Sequence, residues 1–118
     1  MRRLINETDT VPAVLQIESN PRIHNELLNK FCKKHGIIMC GYSPFGSPDL
    51  PWGEKLPHVL VDPTLMEIAK KYERSTAQIV LRWQLQRGIA VIPKVKQSLK
   101  IIFTAIVREL SLQILECH

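Results

Sequence analysis

The sequence predicts an α/β fold, and three observations carry that expectation. Short apolar runs without helical spacing occur at Ala13–Glu18, Ile37–Cys40 and Ile89–Ile92. The stretches between them place apolar residues three and four positions apart, the spacing of a single helix face. Each run then breaks into a segment shaped by Gly, Pro or Asn, as a strand does on entering a loop.

Taken in order, residues 1–9 read as the back end of a helix, with Leu4 and Ile5 free to face a core between Arg2, Arg3, Glu7 and Asp9. Ala13–Glu18 is the first strand, closed by Ser19-Asn20-Pro21. Gln16 and Glu18 are two apart and so share a face. A lone Gln there reads either as a polar group satisfied inside the fold or as a ligand contact. Asn25–His35 is a helix with Leu27, Leu28, Phe31 and Cys32 as its apolar stripe, cations in the last turn and Gly36 after its end. His24 and His35 read as structural residues at its two ends.

Ile37 to Trp52 is the most informative stretch: IIMCGYSPFGSPDLPW. The buried strand Ile37–Cys40 runs into a rigid loop beginning at Gly41. That loop offers a ring (Tyr42), two hydroxyls (Ser43, Ser47) and several backbone N–H groups at a strand's carboxyl end. Parallel α/β folds bind ligands at that end. Hydroxyls and amides suit phosphate oxygens, and a flat ring suits a flat heterocycle. Gly53–Val61 continues as loop.

Asp62-Pro63 opens the next helix as N-cap and N1. Leu65, Ile68, Ala69 and Tyr72 are its apolar face, and Glu73-Arg74 closes it. Ser75-Thr76-Ala77-Gln78 is a capping box for a further helix, with Ile79, Val80, Trp83 and Leu85 inward and Gly88 at its end. Ile89–Ile92 is the last strand, followed by Pro93-Lys94. A cation at a strand's carboxyl end is well placed for an anion, although for an isolated Lys the reading as solvated surface wins.

Composition narrows the classes. The net charge is +5, but the basic residues are scattered in pairs. They fit helix faces and helix C-termini better than a nucleic-acid surface. Three cysteines, Cys32, Cys40 and Cys117, form no C-x-x-C pair. They read as reduced thiols of a cytoplasmic protein, with Cys32 and Cys40 as small core residues. MRRLINETDT lacks the apolar core of a signal peptide, and no apolar run reaches the ~18 residues of a membrane span.

The strings QIESNP, YSPFGSPDLPW, TAQIVLRWQLQRG and IPK together resemble the aldo-keto reductases, the NADP-dependent carbonyl reductases built on a TIM (β/α)8 barrel. The resemblance covers about residues 1–94. It implies a partial barrel, about the last three β/α units, followed by a divergent tail with helical potential at 95–118. A whole barrel needs ~250 residues, more than twice the 118 here.

Carried over residue by residue, the resemblance implies that Gln16 meets the nicotinamide carboxamide and Tyr42 stacks on the nicotinamide ring. Ser43, Phe45 and Ser47 line the pyrophosphate. Lys94 binds the 2′-phosphate of NADP, Asp49 helps latch a closing loop, and Trp52 faces the substrate. The family reduces aldehydes and ketones by hydride transfer from NADPH. Its proton-donating Tyr, with the assisting Lys, Asp and His, belongs to earlier strands that have no counterpart here. No catalytic residue is therefore assigned, and the isolated chain is expected to be inactive. The alternative is a short non-catalytic protein that binds dinucleotide weakly or acts through protein contacts. After Lys94 the family's usual Ser, Arg and Glu-Asn are not matched. Three parallel strands alone leave open edges, so self-association is expected.

Overall fold

The computed structural model describes residues 1–47 and 58–94. Within them the elements run α1 (Arg2–Glu7), β1 (Val14–Glu18), α2 (Glu26–Lys34), β2 (Ile38–Tyr42), a 3-10 turn (Val59–Val61), α3 (Pro63–Lys71), α4 (Thr76–Gln86) and β3 (Ala90–Val91). The α/β expectation holds. The strands form one parallel sheet in the order β1-β2-β3, and the crossovers β1-α2-β2 and β2-α3-α4-β3 supply the length that parallel pairing requires. The expectations for 48–57 and 95–118, including Asp49, Trp52, Cys117 and the tail, lie outside the described residues.

Register sorts the sheet into two unlike faces. Val14 pairs with Ile38, Gln16 with Cys40 and Glu18 with Tyr42, while Cys40 also pairs with Ala90. These residues share one face, and Leu15, Ile17, Met39, Gly41 and Val91 share the other. On the second face Met39 is buried, as is Ile89 just before β3, with α2 packed against β2 and α4 against β3. On the first face Val14 is 53% exposed, Ile38 57% and Tyr42 42%. The sheet is thus covered on one side and open on the other.

Local chemistry sets the helix ends. Asp62 accepts from the amides of Thr64 and Leu65 and caps α3. Ser75 and Gln78 complete the reciprocal capping box of α4. Gly36 and Gly88 follow α2 and α4 with φ of +69° and +72°. Ile37 N–H then reaches back to Cys32 O, and Ile89 N–H to Gln84 O, the Schellman closure. α3 ends in the same way, but with Glu73 at φ +51°. Ala69 and Ile79 form a buried core between α3 and α4, packed by Leu65, Ile68 and Tyr72.

Several sequence expectations are corrected. Gly41 and Tyr42 are still strand, not loop, because their ladder with β1 continues to Glu18. Val59–Val61 forms a 3-10 turn in which the His58 side chain accepts from the Leu60 N–H. Leu27 is 83% exposed, and the helix buries Asn29 and Cys32 instead. In α4, Leu85 is exposed and Gln84 buried, since Gln84 is hydrogen-bonded to Ser19 just beyond the end of β1. α1 buries none of its residues, and Leu4 is exposed. Cys32 is a core thiol, but Cys40 is only half-buried, because it lies on the open face.

Candidate functional site

The carboxyl ends of β1, β2 and β3 form one edge of the molecule, and the residues singled out in sequence lie along it. Tyr42 is the last residue of β2, on the open face. Gln16 lies on the same face of β1, exposed, one register pair short of Tyr42. Sheet geometry separates such diagonal neighbours by roughly 8 Å at Cα, within reach of one planar ring for side chains of that length. Lys94 is exposed three residues beyond the end of β3.

The loop after β2 is built from a sharp turn. Ser43 has φ +46°, a conformation that a non-glycine residue adopts at a cost. Gly46 N–H donates to Ser43 O at 2.9 Å and closes the turn around Pro44. Pro44 is buried, Ser43 and Phe45 are half-buried, and Ser47 is exposed. Tyr42 ends β2 and Ser43, Phe45 and Ser47 follow it directly, Lys94 lies beyond β3, and Gln16 sits mid-strand on the open face of β1; Asp49 and Trp52 lie outside the described residues.

Charge is unevenly distributed along this edge. Glu18 ends β1, where it pairs in register with Tyr42 and accepts a hydrogen bond from Asn20 Nδ2 at 3.3 Å. Lys94 lies on the opposite side, past β3. The groups are amides, hydroxyls, a ring and a cation. Among the described residues no cluster of three or more His, Cys, Asp or Glu could hold a metal ion. The same residues contain no helix long and apolar enough to cross a membrane.

Behind the edge lies a buried polar layer that sequence reasoning missed. Ser19 and Gln84 are both fully buried. Gln84 Nε2 donates to Ser19 O at 2.6 Å and lies 3.1 Å from Ser19 Oγ, whose hydroxyl donates to Gln84 Oε1 at 3.1 Å. Asn20 Oδ1 accepts from the amides of Arg22 and Ile23, which turns the chain after β1. Asn25 Nδ2 donates to Glu18 O at 2.8 Å, tying the start of α2 to the end of β1.

Arg87 joins α4 to α2. Its guanidinium donates to Glu26 at 2.9 Å and to His24 O, and it stacks over Trp83 at 4.3 Å. The hydrogen bond from Arg87 holds the Glu26 carboxyl below its usual pKa, with burial acting against it. Asn29 Nδ2 also donates to Arg87 O at 3.1 Å. The available sequence signal was the i, i+4 spacing of Gln84 from buried Val80. A polar residue at an inward position needs a buried partner.

Comparisons with known proteins agree with this architecture. The family model for the aldo/keto reductase family matches residues 1–113. Aldo-keto reductase family 1 member A1 of Xenopus tropicalis is 45% identical over 92 residues, 77% of this chain and 28% of its own length. The human protein of that name is 44% identical over 84 residues, 70% of this chain and 26% of its own length. An NAD(P)H-dependent D-xylose reductase of Pyricularia oryzae is 41% identical over 88 residues, again 70% of this chain and 27% of its own length.

Among solved structures, the silkworm (Bombyx mori) aldo-keto reductase superposes with a TM-score of 0.80 at 30% identity, covering 97% of this chain and 35% of that one. A mutant of Gox0644 solved in complex with NADPH gives 0.77 at 32% identity, covering 95% of this chain and 38% of that one. The chain therefore spans between a quarter and two fifths of the proteins it matches. With the family model matching residues 1–113 and a relative 45% identical over 77% of its length, the chain belongs to the aldo/keto reductase family.

Proposed function

We propose that this chain forms the cofactor-binding part of an NADP-dependent oxidoreductase that reduces aldehydes or ketones to alcohols. In this reading it is about the last three β/α units of the barrel. The reading is supported by the place of Tyr42 at the carboxyl end of β2 with the Ser43 turn directly after it, Gln16 on the same face of β1, and Lys94 three residues past β3. The residues present fit a dinucleotide. Tyr42 offers an exposed ring at the β2 end, Gln16 an amide on the same face, and the Ser43 turn hydroxyl and amide groups. Lys94 supplies the cation away from Glu18. When bound, NADPH supplies a hydride. Gln16 holds the carboxamide and Tyr42 fixes which ring face is presented. Ser43, Phe45 and Ser47 line the pyrophosphate, Lys94 selects the 2′-phosphate, and Trp52 shapes the substrate side.

No residue here is assigned the proton-donating role, so the isolated chain is read as binding without turnover. Among the described residues the thiols of Cys32 and Cys40 are free, which favours a cytoplasmic setting. A second reading rests on the open sheet face. Val14, Ile38 and Ile92 are each about half exposed, and among the described residues β1 and β3 each pair on one side only, which favours pairing with a further chain or with more of the same barrel. NADPH and NADH titrations, followed by cofactor fluorescence, test the first reading. Lys94→Ala is expected to weaken NADPH about tenfold or more and to leave NADH unchanged, as loss of a charge-assisted phosphate contact does. Equal loss for both cofactors, or no binding by the folded parent chain, overturns it.

A further inference from the structure

We propose that Gln84 is a positioning residue for the carboxyl edge of the sheet, acting through Ser19 on Tyr42 and Ser43. The proposal bears on cofactor binding only through the reading given above. Gln84 lies on α4, on the covered side of the sheet, and does not belong to the edge itself. Its amide grips Ser19 at the backbone carbonyl (2.6 Å) and at the hydroxyl (3.1 Å). Ser19 N–H in turn donates to Tyr42 O at 3.2 Å. Ser19 is thus held on one side by α4 and itself holds the last residue of β2 on the other.

Two further observations show why that junction needs holding. The next residue, Ser43, has φ +46° and precedes Pro44, a backbone state that persists only where its surroundings over-determine it. Ser19 also presses on β2 directly. A Cβ added to Gly41 would lie 3.0 Å from Ser19 Cβ and 3.7 Å from Ser19 O, so only glycine admits Ser19 at this depth. Gln84, Ser19, Gly41 and Tyr42 therefore form a continuous clamp. Its outer end carries the ring and the first hydroxyl of the turn, and its inner end is an amide with no other role in the site.

The clamp makes an ordered prediction. Gln84→Met keeps the length and apolar fit of the side chain but removes every hydrogen bond to Ser19. Ser19→Ala removes the hydroxyl and keeps the carbonyl that accepts the shortest bond. Amide hydrogen exchange of the full chain without ligand is the first readout. In Gln84→Met, exchange at the Ser19 N–H is expected to rise tenfold or more while amides around Ala69 and Ile79 change little, and Ser19→Ala is expected to show a smaller rise at the same site. Unchanged exchange at Ser19, or a uniform rise through the core, overturns the proposal.

The second readout compares NADPH with adenosine 2′,5′-bisphosphate. Loss of NADPH affinity in Gln84→Met with bisphosphate affinity retained supports the clamp, because only the Tyr42 end has moved. Equal loss of both overturns it. Local exchange changes with no NADPH binding by either protein support the clamp and remove the cofactor reading instead.

Discussion

Adjacent residues of β2 should respond oppositely to truncation, because the sheet is covered on one side only. Met39 is 1% exposed and Ile38 57%. Replacing Met39 by Ala deletes fully buried atoms beneath α2, with an expected cost of ~2–5 kcal/mol. Complete burial of an isoleucine is worth ~1.5–3 kcal/mol, and Ile38 has gained less than half of it, so Ile38→Thr should cost below about 1 kcal/mol. Threonine keeps the β-branch, so strand propensity is little changed. Urea unfolding of both variants by far-UV circular dichroism, at low and high protein concentration, measures the difference. A cost for Ile38→Thr equal to that of Met39→Ala at low concentration would refute the one-sided sheet. A cost that grows with concentration would mean that a second copy covers the face.

The remaining predictions concern single interactions. Ser75→Ala should destabilise by ~1 kcal/mol through loss of the α4 capping box, seen as a lower urea midpoint with unchanged m-value. Glu73→Gly should stabilise by up to about 1 kcal/mol, because the C′ position of α3 holds a non-glycine residue at positive φ; a loss of stability would place the strain elsewhere. The Glu26 carboxyl is held below its ordinary value of 4.5 by Arg87. Its contribution is therefore complete above that pH and is lost as the pH falls through the lower folded value, so Glu26→Gln should lower the neutral plateau of a stability–pH curve and flatten its acid limb. Burial pushes the Cys32 thiol up, whereas Cys40 sits half-buried on the open face. Iodoacetamide with peptide mapping should label Cys40 well before Cys32, and equal rates would contradict the packing of α2 on β2.

The elements with strong local signals were legible without coordinates. Asp62-Pro63, the Ser75–Gln78 box, and Gly36 and Gly88 fixed helix ends because capping is a matter of a few neighbouring backbone groups. The parallel strands showed as apolar runs, and the motif strings pointed to the family. The sequence by itself thus determined the order of elements, the turn chemistry and which residues gather at the strand ends.

Only the tertiary structure decided which apolar residues are covered. Leu27 and Ile38 are as hydrophobic as Cys32 and Met39, but the packing of α2 against β2 buries Cys32 and leaves Leu27 out, and the sheet buries Met39 on its covered face and leaves Ile38 on the other. Periodicity gives a residue its face, but only the packed neighbours determine whether that face is covered. The same holds for the polar layer. Gln84 and Ser19 are 65 positions apart, and no local pattern links them. Their hydrogen bonds exist because parallel crossovers carry α4 back over the end of β1, where two groups removed from water must satisfy each other.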